Sequence, residues 1–140
     1  MKYRSNVKNI IKILNENEER ALHAVGILVR GEAQTRAPVD EGNLRDSIDY
    51  LVNDSRKSVI IGASAAYAPY VEYGTRPHFP PPNALKGWAK RHGAEGAEFL
   101  IARSISKKGT KAQPFLTPAF EDNKQNIKKL IARELGRRLK

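Results

Sequence analysis

The sequence contains no cysteine, which excludes disulfides, thiolate metal sites and a cysteine nucleophile. Histidine is scarce: His23, His78 and His92 are too scattered along the chain for a persuasive metal set. Aromatic residues make up 7% of the chain and Trp88 is the one tryptophan. No uncharged apolar run approaches the roughly 18 residues that a membrane helix requires. The first twenty residues hold a short apolar patch without a long hydrophobic region or a small-residue cleavage site, so no signal peptide is expected there. The phosphate-loop, dinucleotide and zinc-protease motifs G-x-x-x-x-G-K-[ST], G-x-G-x-x-G and H-E-x-x-H are all missing. Gly93-Ala94-Glu95-Gly96 is glycine-spaced but lacks a preceding strand, and it reads as a loop. Much enzyme chemistry is removed by these absences.

What is present fits a soluble, polar-surfaced protein of 140 residues, with 40% hydrophobic content and a mean hydropathy of −0.56. That length is expected to form one domain, residues 1–140. The net charge of +10 is uneven: residues 1–37 carry +3, residues 38–82 carry −2 and residues 83–140 carry +9. A basic C-terminal half suits a polyanion or an acidic partner, and it equally suits a lysine-rich solvated helix face.

Hydrophobic spacing predicts one long helix over residues 5–36, with Val7, Ile10, Ile11, Leu14, Ala21, Leu22, Val25, Leu28 and Val29 on its stripe. Asn15-Glu16-Asn17-Glu18 interrupts that stripe, so a bend or fray is expected there. Gly26 and Gly31 each weaken the helix by roughly 1 kcal/mol relative to alanine. A helix of that length, about 48 Å, exceeds the width of a compact domain, so part of it is expected to project. Pro38 ends it, and Asp40-Glu41-Gly42-Asn43 reads as a turn. Residues 44–52, with Ile48, Tyr50 and Val52 on one face, and residues 58–62 form a β-hairpin about Asn53-Asp54-Ser55-Arg56. Residues 63–73 are read as one or two helical turns, and Gly74 to Pro82 as a proline-rich loop. Helices follow over 83–92, capped by Asn83, and over 95–107, stopped by Gly109. Residues 110–118 are extended. A last helix starts near Pro118, with Phe120, Ile127, Leu130, Ile131, Leu135 and Leu139 on one face. Its acidic start and its Arg137-Arg138 end complement the helix dipole. The fold class is α+β: a long N-terminal helix and a C-terminal helix packed on a small antiparallel sheet with a central hairpin.

Candidate chemistry is thin. Asp40, Glu41, Asp46 and Asp49 cluster in sequence, and paired carboxylates can serve as acid and base or hold a divalent cation. Their place at a turn and on the outer phase of a strand points instead to solvated acids. His78 is a lone loop histidine, and His23 is read as a packed or surface residue. Trp88 among Lys86, Lys90, Arg91 and His92 has the composition of a stacking platform for single strands, although its spacing with Leu85 fits a core position better. Lys107, Lys108 and Lys111 surround a glycine, compatible with phosphate contacts or with a solvated loop. No catalytic, cofactor-binding or metal residue is assigned, and binding or assembly is favoured over turnover.

Four blocks in order add what composition does not. Residues 31–48 (GEAQTRAPVDEGNLRDSI) resemble the A-P-V-D-x-G-x-L-R-x-S-I signature of the small siphophage head–tail connection proteins, the tail-component or tail-completion proteins of the neck. Residues 67–75 (YAPYVEYGT) are similar to that family's Y-A-x-Y-V-E-x-G-T block. Residues 102–110 resemble its segment ending in G-T, and residues 113–120 (QPFLTPAF) match its x-P-F-L-x-P-A-F. The blocks span most of residues 27–120.

The resemblance implies a structural virion protein without enzymatic activity or cofactor. It would complete the tail end or join head to tail around the DNA channel. Its partners would be other neck, connector and tail-tube proteins, with self-association in the virion into a ring, six-fold to match a tail tube, from a chain that is a monomer before assembly. DNA contact would be transient at most, with no membrane. The protein would reside in the virion, and in the host cytoplasm during assembly. The motif residues Pro38, Asp40, Gly42, Leu44, Ser47, Tyr70, Glu72, Gly74, Thr75, Gly109, Pro114, Phe115 and Pro118 are expected to be structural. Glu72 is read as a hydrogen-bonded structural acid, with an inter-subunit contact as the alternative. Lys107, Lys108 and Lys111 are the candidates for polyanion or partner contact. The competing reading from another class is a basic nucleic-acid-binding accessory protein. A hydrolase using His78 with Asp40 and Glu41 is the third.

Overall fold

A computed structural model of the chain describes residues 2–137, with side chains from Asn9 to Arg137. The side chain of Val7, together with Arg138 and Leu139, lies outside the described residues. The spine is a single helix, α1, Lys2–Arg36. Its inward stripe is built of small and β-branched residues: Ala21, Val25, Val29, Ala33 and Ala37 fall four apart and are all buried. Small residues at this period let neighbouring elements approach the helix axis closely. At 1.5 Å per residue α1 is about 52 Å long.

No break occurs at residues 15–18. Asn17, which interrupts the apolar stripe in sequence, is fully buried, and its side-chain amide donates to the carbonyls of Leu135 and Arg137. A polar residue inside the stripe is thus the cap of another helix, and α1 runs on through it.

Pro38 follows α1, and Gly42, in a left-handed conformation (φ 88°, ψ 0°), opens α2, Asn43–Asp46. The strand expected from residue 44 therefore begins four residues later. Helical hydrogen bonds from the Asp46 amide to Gly42 and from the Ser47 amide to Asn43 take that segment first. The hairpin then forms from β1, Ile48–Asn53, and β2, Ser58–Ala63, antiparallel with Ile48 opposite Ala63 and Asn53 opposite Ser58. Ile48 is buried and Tyr50 and Val52 are half-buried, as the alternation predicts, whereas Leu51 and its partner Ile60 face outward at 68% and 60% exposure.

Gly26 explains itself here. A Cβ on it would collide with the Tyr50 ring, so the glycine is the notch in α1 that seats β1. His23 is exposed, and its Nδ1 lies 3.1 Å from Tyr50 Oη beside this contact.

After the hairpin come α3, Ala68–Tyr73, a 3-10 turn at Pro82–Leu85, α4, Lys86–Arg91, and α5, Glu98–Lys108. Asn83 sits inside the 3-10 turn, which already begins at Pro82 after the extended Pro81, and among the described residues it makes no capping bond. The C-terminal helix is divided: α6, Leu116–Glu121, then α7, Lys124–Leu135. Between them Asn123 is buried, and its Nδ2 donates to the Ala119 carbonyl at 2.9 Å. Arg36 reaches Asp122 at 3.3 Å and fastens this corner to the end of α1.

β1, β2, α6 and α7 all pack on α1. Their shared core joins Val25, Val29, Leu44, Ile48, Ala68, Phe115, Ala119 and Ile127. Phe115 is the largest apolar side chain that is fully buried, and a burial of that kind contributes about 1.5–3 kcal/mol. The arrangement is the α+β fold expected from the sequence.

Candidate functional site

The site grows out of α3. Pro69 occupies its first turn, where no amide hydrogen is needed, and the helix turns Ala68 and Glu72 inward while Tyr70 and Tyr73 face out at 60% and 78% exposure. Glu72 is 5% exposed and, among the described residues, meets no cation. Its Oε2 accepts from the amides of Phe115 (2.8 Å) and Leu116 (3.0 Å), and its Oε1 from the amide (2.9 Å) and hydroxyl (2.6 Å) of Thr117. Those amides open α6, where the backbone donors have no helical acceptor, and the next residue, Pro118, has no donor at all. A carboxylate is therefore the helix's N-terminal counter-group. Burial by itself pushes the Glu72 pKa up, but the bonds from Thr117, Leu116 and Phe115 outweigh it and hold the carboxyl below its ordinary value. This is also why the helix starts at Leu116 and not at Pro118.

Directly after α3, Gly74-Thr75 pairs with Gly109-Thr110 in an isolated antiparallel bridge. Thr75 and Thr110 exchange main-chain bonds of 3.1 and 3.3 Å, and their hydroxyls lie 2.8 Å apart. Gly74 (φ 76°, ψ −178°) and Gly109 (φ 70°, ψ −159°) share a backbone region that only glycine occupies readily. A Cβ at Gly74 would meet the Thr110 carbonyl at 2.6 Å, and one at Gly109 would strike the Thr75 carbonyl. Two G-T dipeptides, far apart in sequence, thus clasp the base of an arm formed by residues 76–108.

The arm's second tie is Arg91. Its Nε donates to Asp40 Oδ1 at 2.7 Å and its Nη2 to Oδ2, while Nη1 lies 2.7 Å from Glu41 Oε1. The hydrogen bond from Arg91 holds the Asp40 carboxyl below its usual range. Asp49 is engaged too, accepting from the Tyr50 amide and, at 3.0 Å, from Arg30. Asp46 faces its neighbour Arg45 at 3.3 Å. The acidic cluster of the sequence is therefore divided among three arginines, with Arg91 holding both Asp40 and Glu41. Among the described residues no group of three or more His, Asp or Glu is placed to hold a metal ion. His78 points its Nδ1 at the Arg76 carbonyl, 2.9 Å away. Trp88 is not a core residue: it is 41% exposed and stacks on His92 with ring centroids 4.2 Å apart, and Ala89 takes the buried position.

A cleft of about 840 Å³ opens where arm and clasp meet, lined by Tyr67, Tyr70, Arg76, Leu85, Ile105 and Lys111 among others. Lys107 and Lys108 end α5 nearby in sequence, where cations complement the helix dipole; both are exposed.

Six of the sequence-selected residues converge on these ties. Glu72 and Phe115 belong to the carboxylate clamp at the start of α6, and Gly74, Thr75 and Gly109 to the clasp. Asp40 is held by Arg91. Leu44 is buried, and Ser47 donates to the Leu44 carbonyl (2.8 Å) while accepting from the Ala65 amide (3.2 Å). Pro38 and Pro118 are half-buried, and Pro114 and Tyr70 are exposed. Sequence reasoning missed three residues: Asn17, Arg91 and Thr110. The repeated G-T dipeptide was the available signal for Thr110. Asn17 and Arg91 carried none, since buried caps and long-range ion pairs leave no local pattern.

A family model described as "Bacteriophage HK97-gp10, putative tail-component" matches residues 2–74, from α1 to the first glycine of the clasp. No curated protein and no solved structure matches the chain.

Proposed function

The chain belongs to the HK97-gp10 tail-component family of bacteriophages, and from that premise we propose that it completes the head-proximal end of a phage tail or joins tail to head around the DNA channel. It works by assembly, as a ring of copies meeting through unlike faces. The observation that carries this reading is the amount of large apolar surface left outside. Leu51 and Ile60 form an exposed cross-strand pair on the hairpin. On the arm, Phe79 and Phe99 meet edge to face at 6.1 Å, and both are more than half exposed, as is Leu100. Exposed apolar patches on different elements are expected of a protein that docks with several neighbours. No described helix is long and apolar enough to cross a membrane.

The test is electron microscopy of lysates from an induced lysogen lacking the gene, with complementation. DNA-filled heads beside unattached tails, restored to joined particles by the intact chain, are expected. Leu51→Glu with Ile60→Glu should complement poorly while the purified variant keeps its fold by circular dichroism. Complete infectious particles without the gene would overturn the proposal and favour the nucleic-acid-binding reading.

A further inference from the structure

We propose that the cleft beside the glycine–threonine clasp is a docking site for an extended acidic segment of another protein, its apolar side chains seated among the tyrosines and its carboxylates on Arg76 and Lys111. This inference rests on the cleft and not on where in a virion the chain sits. Each G-T dipeptide is followed directly by a cation, Arg76 after Thr75 and Lys111 after Thr110, so the bridge delivers both to the same cleft. Among the described residues neither side chain has a hydrogen bond or an ion pair, and no carboxylate lines the cleft. Residues 76–111 hold eight Lys or Arg against two Glu, and an excess of positive charge remains once Asp40 and Glu41, held by Arg91, are included. The field there favours a negative occupant.

Charge alone would fit DNA as well, and two further features select a peptide. The lining is mainly apolar, with Val71, Leu85 and Ile105 joining Tyr67 and Tyr70, which a phosphate backbone would leave unused. The clasp is also a ladder stopped short. It pairs Thr75 with Thr110, and beyond it, among the described residues, the exposed Lys111 and Ala112 make no main-chain hydrogen bond before the Gln113 amide reaches the Val71 carbonyl at 2.8 Å. An extended chain laid along that edge would continue the ladder, giving main-chain affinity while alternate side chains enter the cleft.

The experiment uses the purified full chain and three fluorescent probes: a short peptide alternating glutamate with leucine and phenylalanine, its lysine-for-glutamate counterpart, and a DNA duplex of about 20 base pairs. The acidic peptide is expected to bind saturably, to shift the amide resonances of Lys111 and Ala112, and to compete with its unlabelled form. The basic peptide is expected not to bind. Arg76→Glu with Lys111→Glu should weaken binding by about tenfold or more, and both positions are exposed enough for the fold to persist. Tyr70→Ala should weaken the peptide without altering any DNA association. Absence of saturable peptide binding overturns the proposal, as does DNA displacing the peptide from the same resonances with equal or higher affinity. Failure of this binding leaves the tail-assembly reading intact, because the assay involves no virion. Failure of the lysogen test likewise leaves this one standing.

Discussion

Glu72 Oε1 accepts both the hydroxyl (2.6 Å) and the amide (2.9 Å) of Thr117, 45 residues further along the chain. With Oε2 on Phe115 and Leu116, one buried carboxylate fixes the start of α6 and the seat of Phe115 in the core. The acidic member of the Y-V-E-x-G-T block thus has its partner in the P-F-L-x-P-A-F block.

Glu72→Gln should cost about 2–3 kcal/mol, because one oxygen becomes an NH₂ facing donors in either orientation. Urea unfolding at neutral pH measures it. The carboxyl's pKa is lower in the folded chain than its ordinary 4.5, so its contribution is complete above that value and fades as pH falls through the lowered one. The gap between wild type and variant should accordingly narrow below pH 4.5, and a gap independent of pH would contradict the clamp.

The two glycines within α1 should respond with opposite signs. Gly31 is exposed, with nothing within 4 Å of its ideal Cβ, so Gly31→Ala should stabilise by up to about 1 kcal/mol. Gly26→Ala gains the same propensity but drives a methyl into Tyr50, an overpacking worth about 1–3 kcal/mol against it. Thermal melts of both variants decide the matter, and an equal rise in Tm would show that the notch is unimportant.

Asn17→Ala removes the side chain that donates to the carbonyls of Leu135 and Arg137. Losing both bonds at this part-buried helix end should cost about 1–2 kcal/mol. Amide exchange should accelerate first in the last turn of α7, while α1 stays protected around residue 17. Fraying of α1 itself would instead favour the bend suggested by its sequence.

Gly109→Ala places a Cβ against the Thr75 carbonyl in a backbone region foreign to alanine. The expected cost is about 2 kcal/mol or more, concentrated at the clasp. Limited proteolysis should then cut within residues 76–108 well before α1, β1 or α7, and a cleavage pattern like the wild type's would refute the clasp as the arm's anchor.

Local chemistry made much of this legible. Apolar spacing announced α1, α5 and α7, and the alternation of Ile48, Tyr50 and Val52 announced the inner face of the hairpin, because periodicity is set by backbone geometry that every chain shares. Proline and glycine placed several of the turns. Boundaries were less legible where a distant group intervened: α6 begins at Leu116 because Glu72 waits for its amides, and residues 43–46 are helical because the turn at Gly42 closes its own hydrogen bonds before pairing can start.

By itself, then, the sequence determined the element types, the absence of thiol chemistry, the basic bias of the C-terminal half and the order of the four motif blocks. Only the tertiary structure decided what those residues are for. Asn17 looks like an interruption until α7 lies across it, and Gly26 looks like a weakness until Tyr50 fills the space. The two G-T dipeptides look like ordinary stops until they pair. Hydrogen-bond satisfaction and close packing are properties of atoms brought together in space, and no one-dimensional pattern records which distant atoms will meet.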